Sequence, residues 1–475
     1  MTRAIVVGSG PNGLAAAARL ARAGLEVTVL EAADTIGGGT RSSEYLMPGL
    51  LHDHCSAVHP MAVASPLFNE LQLPGLTWKR AEVECAHPLD DGTAGALFRS
   101  FEQTEDALGV DGRRWRQVFE PVARHFDDLF ADISQPVLRV PSHPVTFARF
   151  GLRAALPATV LGRLLRTPQA QALWTGVAAH AFWRLDRPMT SAIGFALTAG
   201  AHAHGWVVAE GGSQAIADAL AKDIIEHGGT IETGVHVRSV ADLPPHEVLM
   251  LDVSPQSALG ILGDRLPSRV ASAYGRFQHG PGAFKVDFAI EDGVPWSAEV
   301  ARRAGTVHLG GTAAEIAAGE LAVHRGTMPE RPFVLVGQQY LADPGRSVGN
   351  VHPLWTYAHV PHGYTGDVTE AIIGQIERFA PGFRDRVVGT AVRSATEMAA
   401  YNPNYIGGDI IGGASSLTQT LFRPRFALDP YATGVPGTYL CSAATPPGAG
   451  AHGMCGANAA ARALAELGSS PLISR

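Results

Sequence analysis

Short unbroken apolar runs alternate along this chain with longer stretches in which apolar residues recur at helical spacing. Ala4 to Val7 is such a run, the pattern of a strand buried on both faces. It passes into Gly8-Ser9-Gly10-Pro11-Asn12-Gly13. An Ala/Leu-rich helix follows from Leu14 to Ala23 and stops at Gly24. Val27 to Leu30 is a second apolar strand, ending at Glu31. Arg113 to Phe130 and Val160 to Phe182 carry apolar residues at helical spacing. Glu210-Gly-Gly-Ser213 opens a helix, Gln214 to His227, which Gly228-Gly229 closes; a strand from Gly234 to Val240 is expected next. Ala283 to Ile290, Phe333 to Gln339 and Leu354 to Val360 read as strands. Near the end, Tyr439 to Cys441 reads as a strand, and a glycine-rich turn leads from it into an Ala-rich helix reaching Leu467.

The opening pattern carries chemistry. Strand, glycine turn, helix, strand and acid in succession make a dinucleotide-binding unit. Gly8 permits the tight turn, Gly10 lets the backbone approach a pyrophosphate, and Gly13 lets the helix pack on the strand. Pro11 and Asn12 complete the turn, and the helix start offers free N–H groups and a positive dipole end. Glu31 stands where an acid binds ribose hydroxyls, and its charge would repel a 2′-phosphate. A glycine-rich turn in an unrelated α/β protein would explain neither the second strand nor the acid.

Beyond Glu31 the chain reads Ala32, then Gly37-Gly38-Gly39-Thr40-Arg41. This layout resembles the FAD signature of the phytoene desaturase and amine oxidase flavoproteins, in which the glycine doublet contacts the pyrophosphate a second time. The family's arginine directly follows the doublet; here Gly39 holds that place, and Arg41 is the candidate for the phosphate contact. Gly450-Ala-His452-Gly453-Met454-Cys455-Gly456 resembles the family's C-terminal signature, which implies that N–H groups near Met454 and Cys455 bond the flavin pyrimidine. The mid-chain segment resembles the one that lays a strand beside the adenine, with Val237 as the backbone contact. His59, after the doublet, and His452 would flank the flavin. Together these pieces imply FAD.

Composition narrows the class. A chain of 475 residues is too long for one core. The expected fold is α/β: a Rossmann-like dinucleotide domain of the glutathione reductase type, with an inserted α+β substrate domain. The FAD domain is expected to be discontinuous (1–70, 205–255 and 425–475). The substrate domain takes 71–204, mostly helical, and 256–424, richer in strands. The tail Ser469 to Arg475 is expected to fray. A net charge of −7 argues against nucleic acid. No run of about 18 apolar residues occurs. The first strand begins at residue 4, which leaves no room for a signal peptide, so a cytoplasmic protein is expected. Phe147 to Leu165 reads either as a lipid-surface helix pair or as a packing helix interrupted at Pro157; the second is preferred, and the first leaves a peripheral membrane contact open. The cysteines, Cys55, Cys85, Cys441 and Cys455, form no CxxC pair, which argues against a redox dithiol and a zinc site, and the scattered histidines suit no metal. No second dinucleotide fingerprint for NAD(P)H is found, so the electrons are expected to leave to oxygen, a quinone or another acceptor, which the sequence does not identify.

Lys285, in Phe284-Lys285-Val286-Asp287-Phe288, is a charge among apolar strand residues. The resemblance implies a strand lysine approaching the flavin N5; the alternative is a lysine on the solvent face of an edge strand. Trp355, Tyr357 and His359 alternate on one face. They read either as an aromatic substrate wall, with Tyr357 and His359 as reacting groups, or as an ordinary core face. The resemblance implies hydride removal from an apolar isoprenoid- or lipid-like substrate onto FAD. An amine oxidase, a saturase or isomerase of a polyene, and an FAD-binding partner protein without turnover remain the alternatives.

Overall fold

The structure is a computed structural model and describes residues 2–469; residues 470–475 of the expected tail lie outside the described residues. A parallel sheet of five strands has the order Thr438–Leu440, Val248–Leu251, Arg3–Val7, Glu26–Leu30, Thr230–Glu232. Its central strand is apolar because helices and loops cover both faces. Ala4 lies between Val27 and Val248, and Val7 between Leu30 and Leu251. The helix Pro11–Arg22 packs on this sheet between Gln214–Glu226 and Met454–Ser469. Its run of alanines leaves backbone as the contact surface. A Cβ on Gly456 would stand 1.8 Å from the Asn12 carbonyl oxygen, so these two glycine-entered helices cross with their backbones touching.

A second, mixed sheet of seven strands has the order Val387–Arg393, Gly282–Glu291, Val351–Val360, Val334–Gly337, Ala304–Leu309, Val83–Pro88, Ala94–Leu97. One face carries Phe284, Val286 and Phe288 into a core with Ile372, Ile376 and Phe379. The other turns Leu335, Trp355 and Tyr357 toward a helical layer built around Trp115, Phe119, Trp174 and Phe195. The aromatic rings there interlock, with Phe119 4.5 Å from Trp115 and 4.8 Å from Phe195 between centroids.

Two expectations need correction. Gly234 to Val240 is not a strand. The chain pairs with the parallel sheet only at Thr230–Glu232 and then leaves it at Gly234, whose φ is +73°. Val237 still packs inward, but without a ladder. The stretch 71–204 also supplies more than helices: Val83–Pro88 and Ala94–Leu97 form an antiparallel hairpin that completes the second sheet. Its turn contains Asp91-Gly92, with Gly92 at φ +81°, a hairpin signal set between two short apolar runs.

Candidate functional site

A cavity of about 1060 Å³ runs from the first glycine turn to the helical layer. At one end the wall is Gly8, Gly10, Pro11, Asn12, Glu31 and Ala32. The second glycine run lies against the first. A Cβ on Gly38 would be 3.0 Å from the Gly10 Cα, and the Gly37 N–H donates to the Ser9 carbonyl at 3.0 Å. Gly10, at the start of the Pro11–Arg22 helix, offers no capping side chain, and of the first-turn N–H groups expected to be free, that of Gly13 is already taken by the Asp252 carboxylate. A Cβ on Gly13 would meet the Gly8 carbonyl at 2.1 Å. The buried Asn12 Oδ1 has no hydrogen-bond partner, an open polar atom on the cavity wall. These features fit the pyrophosphate end of a dinucleotide.

Glu31 is buried and held in place. Its carboxylate accepts from the Ser9 N–H (2.8 Å), the Ser9 hydroxyl (2.6 Å), the Ala33 N–H (2.9 Å) and Arg41 (3.2 Å). Arg41 lines the cavity but is not free for phosphate as expected, because its guanidinium also donates to the Thr35 carbonyl at 2.7 Å. It fixes the acid instead. Gly39, Thr40 and Val237 line the wall; Gly37, like Gly13, lies just behind it. His59 lines the cavity and bonds Ser213 Oγ at 2.8 Å; burial pushes its ring down to about 4, so it is neutral at ordinary pH.

The C-terminal piece differs from expectation. His452 lines the cavity, and burial pushes it down to about 4. Its Nδ1 accepts the Met454 N–H at 3.1 Å, so that donor is already paired. Gly453, Met454 and Cys455 do not line the cavity. The Cys455 thiol donates to backbone carbonyls, at 3.3 Å to Gly448.

The reacting groups expected on the second sheet separate. Tyr357 and Trp355 line the cavity, and the buried Trp355 Nε1 has no partner. His359 does not line it. The ring lies under Phe182, 3.8 Å between centroids, and Nδ1 meets Glu320 at 2.8 Å. Lys285 is neither a solvent-face lysine nor a cavity group. Its strand is interior to the sheet, it is 2% exposed, and its ammonium is ion-paired with Asp287, which also accepts the Tyr45 hydroxyl. Asp287 lies two positions on and on the same face, and this captures the charge.

Sequence reasoning missed Asp252. It ends the apolar run Val248–Leu251 as Glu31 ends Val27–Leu30, and that repeat of strand followed by acid was the available signal. Its Oδ2 accepts the Gly13 N–H at 2.9 Å inside the cradle. Burial, with the charge of Glu31 adding to it, pushes the Asp252 carboxyl up to about 7 against the pull of the Gly13 and Gly10 N–H groups. The group is therefore neutral in acid and charged above neutrality, where it faces an anionic ligand. FAD affinity is expected to fall about tenfold between pH 6 and pH 8, and Asp252→Asn to flatten this dependence. Quenching of flavin fluorescence by apoprotein measures it; equal slopes in both proteins would contradict the assignment.

The family model described as "Flavin containing amine oxidoreductase" matches residues 12–258. "Pyridine nucleotide-disulfide oxidoreductase domain-containing protein 2" of Rattus norvegicus is 23% identical over 547 residues, covering 96% of this chain and 92% of that protein. The solved structures that superpose on the chain include an oxidoreductase from Methanosarcina mazei (TM-score 0.63, 16% identity, 98% of this chain and 100% of that one). A triple mutant of putrescine oxidase also superposes (0.63, 18%, 99% of each). So does cyclohexylamine oxidase from Brevibacterium oxydans (0.59, 15%, 98% and 99%). These likenesses show a shared fold, with its Rossmann-like dinucleotide domain. No helix among the described residues is long and apolar enough to cross a membrane. The chain belongs to the flavin containing amine oxidoreductase family, and FAD is its cofactor.

Proposed function

We propose that this FAD-dependent oxidoreductase dehydrogenates a neutral, apolar, isoprenoid- or lipid-like substrate. The observation that carries the reading is the far end of the cavity. Its walls are Phe130, Ile133, Phe147, Phe150, Ile193 and Leu197 from the helical layer. The acids that line the cavity are Glu31, Asp132 and Asp252. Glu31 and Asp252 belong to the cradle. Asp132, at the far end, already accepts from the Ser142 N–H (2.7 Å), the His143 N–H (2.8 Å) and Arg139 (2.7 Å). A protonated amine would find no free carboxylate there, and burying a cation without one is costly.

Bound FAD supplies the two-electron acceptor. The chain's own groups supply position. Ser9 and Arg41 fix Glu31 for the ribose, the glycine cradle takes the pyrophosphate, and Trp355 and Tyr357 form an aromatic part of the cavity wall. The four cysteines are free and buried, which suits no dithiol relay. Burial also pushes the thiols up, Cys455 to about 12, away from thiolate chemistry.

Anaerobic titration of the oxidised holoprotein tests the reading. An apolar extract of membranes should bleach the flavin, while putrescine and cyclohexylamine should not. Bleaching by an amine alone would establish the amine oxidase alternative. A shifted double bond without bleaching would establish an isomerase.

A further inference from the structure

We propose that the outer face of the helix Pro144–Ala154, with the helix Ala158–Gly162 that follows it, docks on an anionic bilayer surface at one mouth of the cavity. The surface itself rests on exposure and charge alone; its use for substrate entry rests on the function proposed above.

The helix Pro144–Ala154 is apolar on both sides. Phe147, Phe150, Gly151 and Ala154 line the cavity. Val145, Ala148 and Leu152 lie at helical spacing on the opposite side, and Val145 is 63% and Leu152 75% exposed. The sequence-based preference for a packing helix describes the inner face. It leaves the outer face uncovered. Val140, before this helix, is 87% exposed, and Leu164, after the next, is 43% exposed. A soluble surface tolerates such residues singly; a run of them along one edge marks a contact.

The cavity reaches the surface beside this helix, as it also does at Arg238 and Gly260 on the cradle side. Val137 lines the cavity and is itself 42% exposed. Arg139 and Pro141 line it as well. A body covering the face would therefore sit at this mouth of the cavity. A protein partner there would close this route, whereas a bilayer would present apolar molecules to it.

Charge identifies the kind of surface. Between Asp132 and Asp186 the sequence holds no acid and six arginines, in a chain whose net charge is −7. Arg139 pairs with Asp132, and Arg184 with Asp186. The guanidiniums of Arg149, Arg153, Arg163 and Arg166 form no ion pair among the described residues, although the Arg166 backbone N–H donates to Asp111 at 2.8 Å; the Arg153 guanidinium donates to the Arg149 carbonyl at 3.0 Å. The solvent-accessible acids Asp127 and Asp128, on the helix packed beside this one, lie against His204 and His143. Apolar side chains interleaved with arginines in no ion pair match the interface of an anionic membrane, where the apolar groups enter the headgroup boundary and the guanidiniums meet phosphates. With no spanning helix among the described residues, the contact is one of surface and not of insertion across the bilayer.

Co-sedimentation of the holoprotein with vesicles tests this. Vesicles of phosphatidylcholine mixed with phosphatidylglycerol should bind at least about tenfold more protein than phosphatidylcholine alone, and high salt should weaken the binding. Arg149→Glu with Arg153→Glu, and separately Val145→Glu with Leu152→Glu, should each lower binding by about tenfold at unchanged FAD content. All four side chains are at the surface, so the variants should fold. Absence of vesicle binding, or equal binding by wild type and both variants, would overturn the proposal. A concentration-dependent dimer abolished by Leu152→Glu would give the face to a second copy and overturn it too. Vesicle binding without flavin reduction by any lipid would support the surface while removing the substrate reading.

Discussion

Arg346→Ala is expected to destabilise the protein by about 3–5 kcal/mol, the range for removing one partner of a buried ion pair. Arg346 is 1% exposed. Its guanidinium donates to Asp53 (2.5 Å), Asp343 (3.1 Å) and the Ala209 carbonyl (2.7 Å). Asp53 also accepts from the Ser42 hydroxyl at 2.6 Å and the Ser213 N–H at 2.8 Å. One guanidinium thus ties the segment after the second glycine run, the entry to the helix Gln214–Glu226 and the turn before Val351–Val360. Burial alone would raise the Asp53 carboxyl; Arg346 and the hydrogen bonds bring it below its usual value. A carboxyl depressed in the folded state contributes stability that is present above its unfolded value and lost as pH falls through the folded one. In the alanine variant that contribution is gone, so acid should cost the variant less than wild type. Urea unfolding of both proteins at neutral and acidic pH measures this. A loss under about 1 kcal/mol at neutral pH would mean that the network relaxes and carries little.

Lys285→Met is the second large effect, and its size follows from Asp287. Lys285 taken alone is a cation whose loss would leave the fold intact. In the structure it is half of a buried pair, and methionine would leave a carboxylate with the Tyr45 hydroxyl as its remaining side-chain donor. Burial lowers the Lys285 ammonium while Asp287 raises it, and burial prevails. A loss of about 3–5 kcal/mol is expected for the single variant. Lys285→Met with Asp287→Asn should restore most of it, because the pair is removed together. Thermal and urea unfolding of the double-mutant cycle gives the coupling directly. A single variant as stable as wild type would show the pair to be dispensable. A double variant no better than the single would place the loss in packing.

The dinucleotide domain was legible because its signal is local. Within some thirty residues of one another stand a buried strand, three glycines, a helix and an acid, and each has its own backbone reason. The second glycine run was legible by the same logic and lies against the first. The C-terminal turn brings its helix onto the first helix at Gly456, but its expected flavin contact near Met454 was misread, because His452 takes that N–H. Side-chain roles on the second sheet were less so. Period-two alternation put Trp355, Tyr357 and His359 on one face, which is correct, but it cannot tell how far along a strand a cavity extends. Phe182, from a distant loop, closes over His359. Nor does alternation show that Asp287 captures Lys285, although both lie on one face in the sequence itself. Asp53, Asp252 and Arg346 were missed because their partners are far away in the chain: Gly13 is 239 positions from Asp252, and Asp53 is 293 from Arg346. The strand Thr230–Glu232 went unread because Thr and Glu in a short, exposed edge strand give no apolar run.

The central claim is that the cradle of Gly8, Gly10, Gly13 and the second glycine run holds FAD without a covalent bond. Acid precipitation of the purified protein, followed by identification and quantitation of the nucleotide released, tests it most directly. One FAD per chain should appear in the supernatant. A pellet that keeps its flavin, or a supernatant that holds another dinucleotide in place of FAD, would contradict the account.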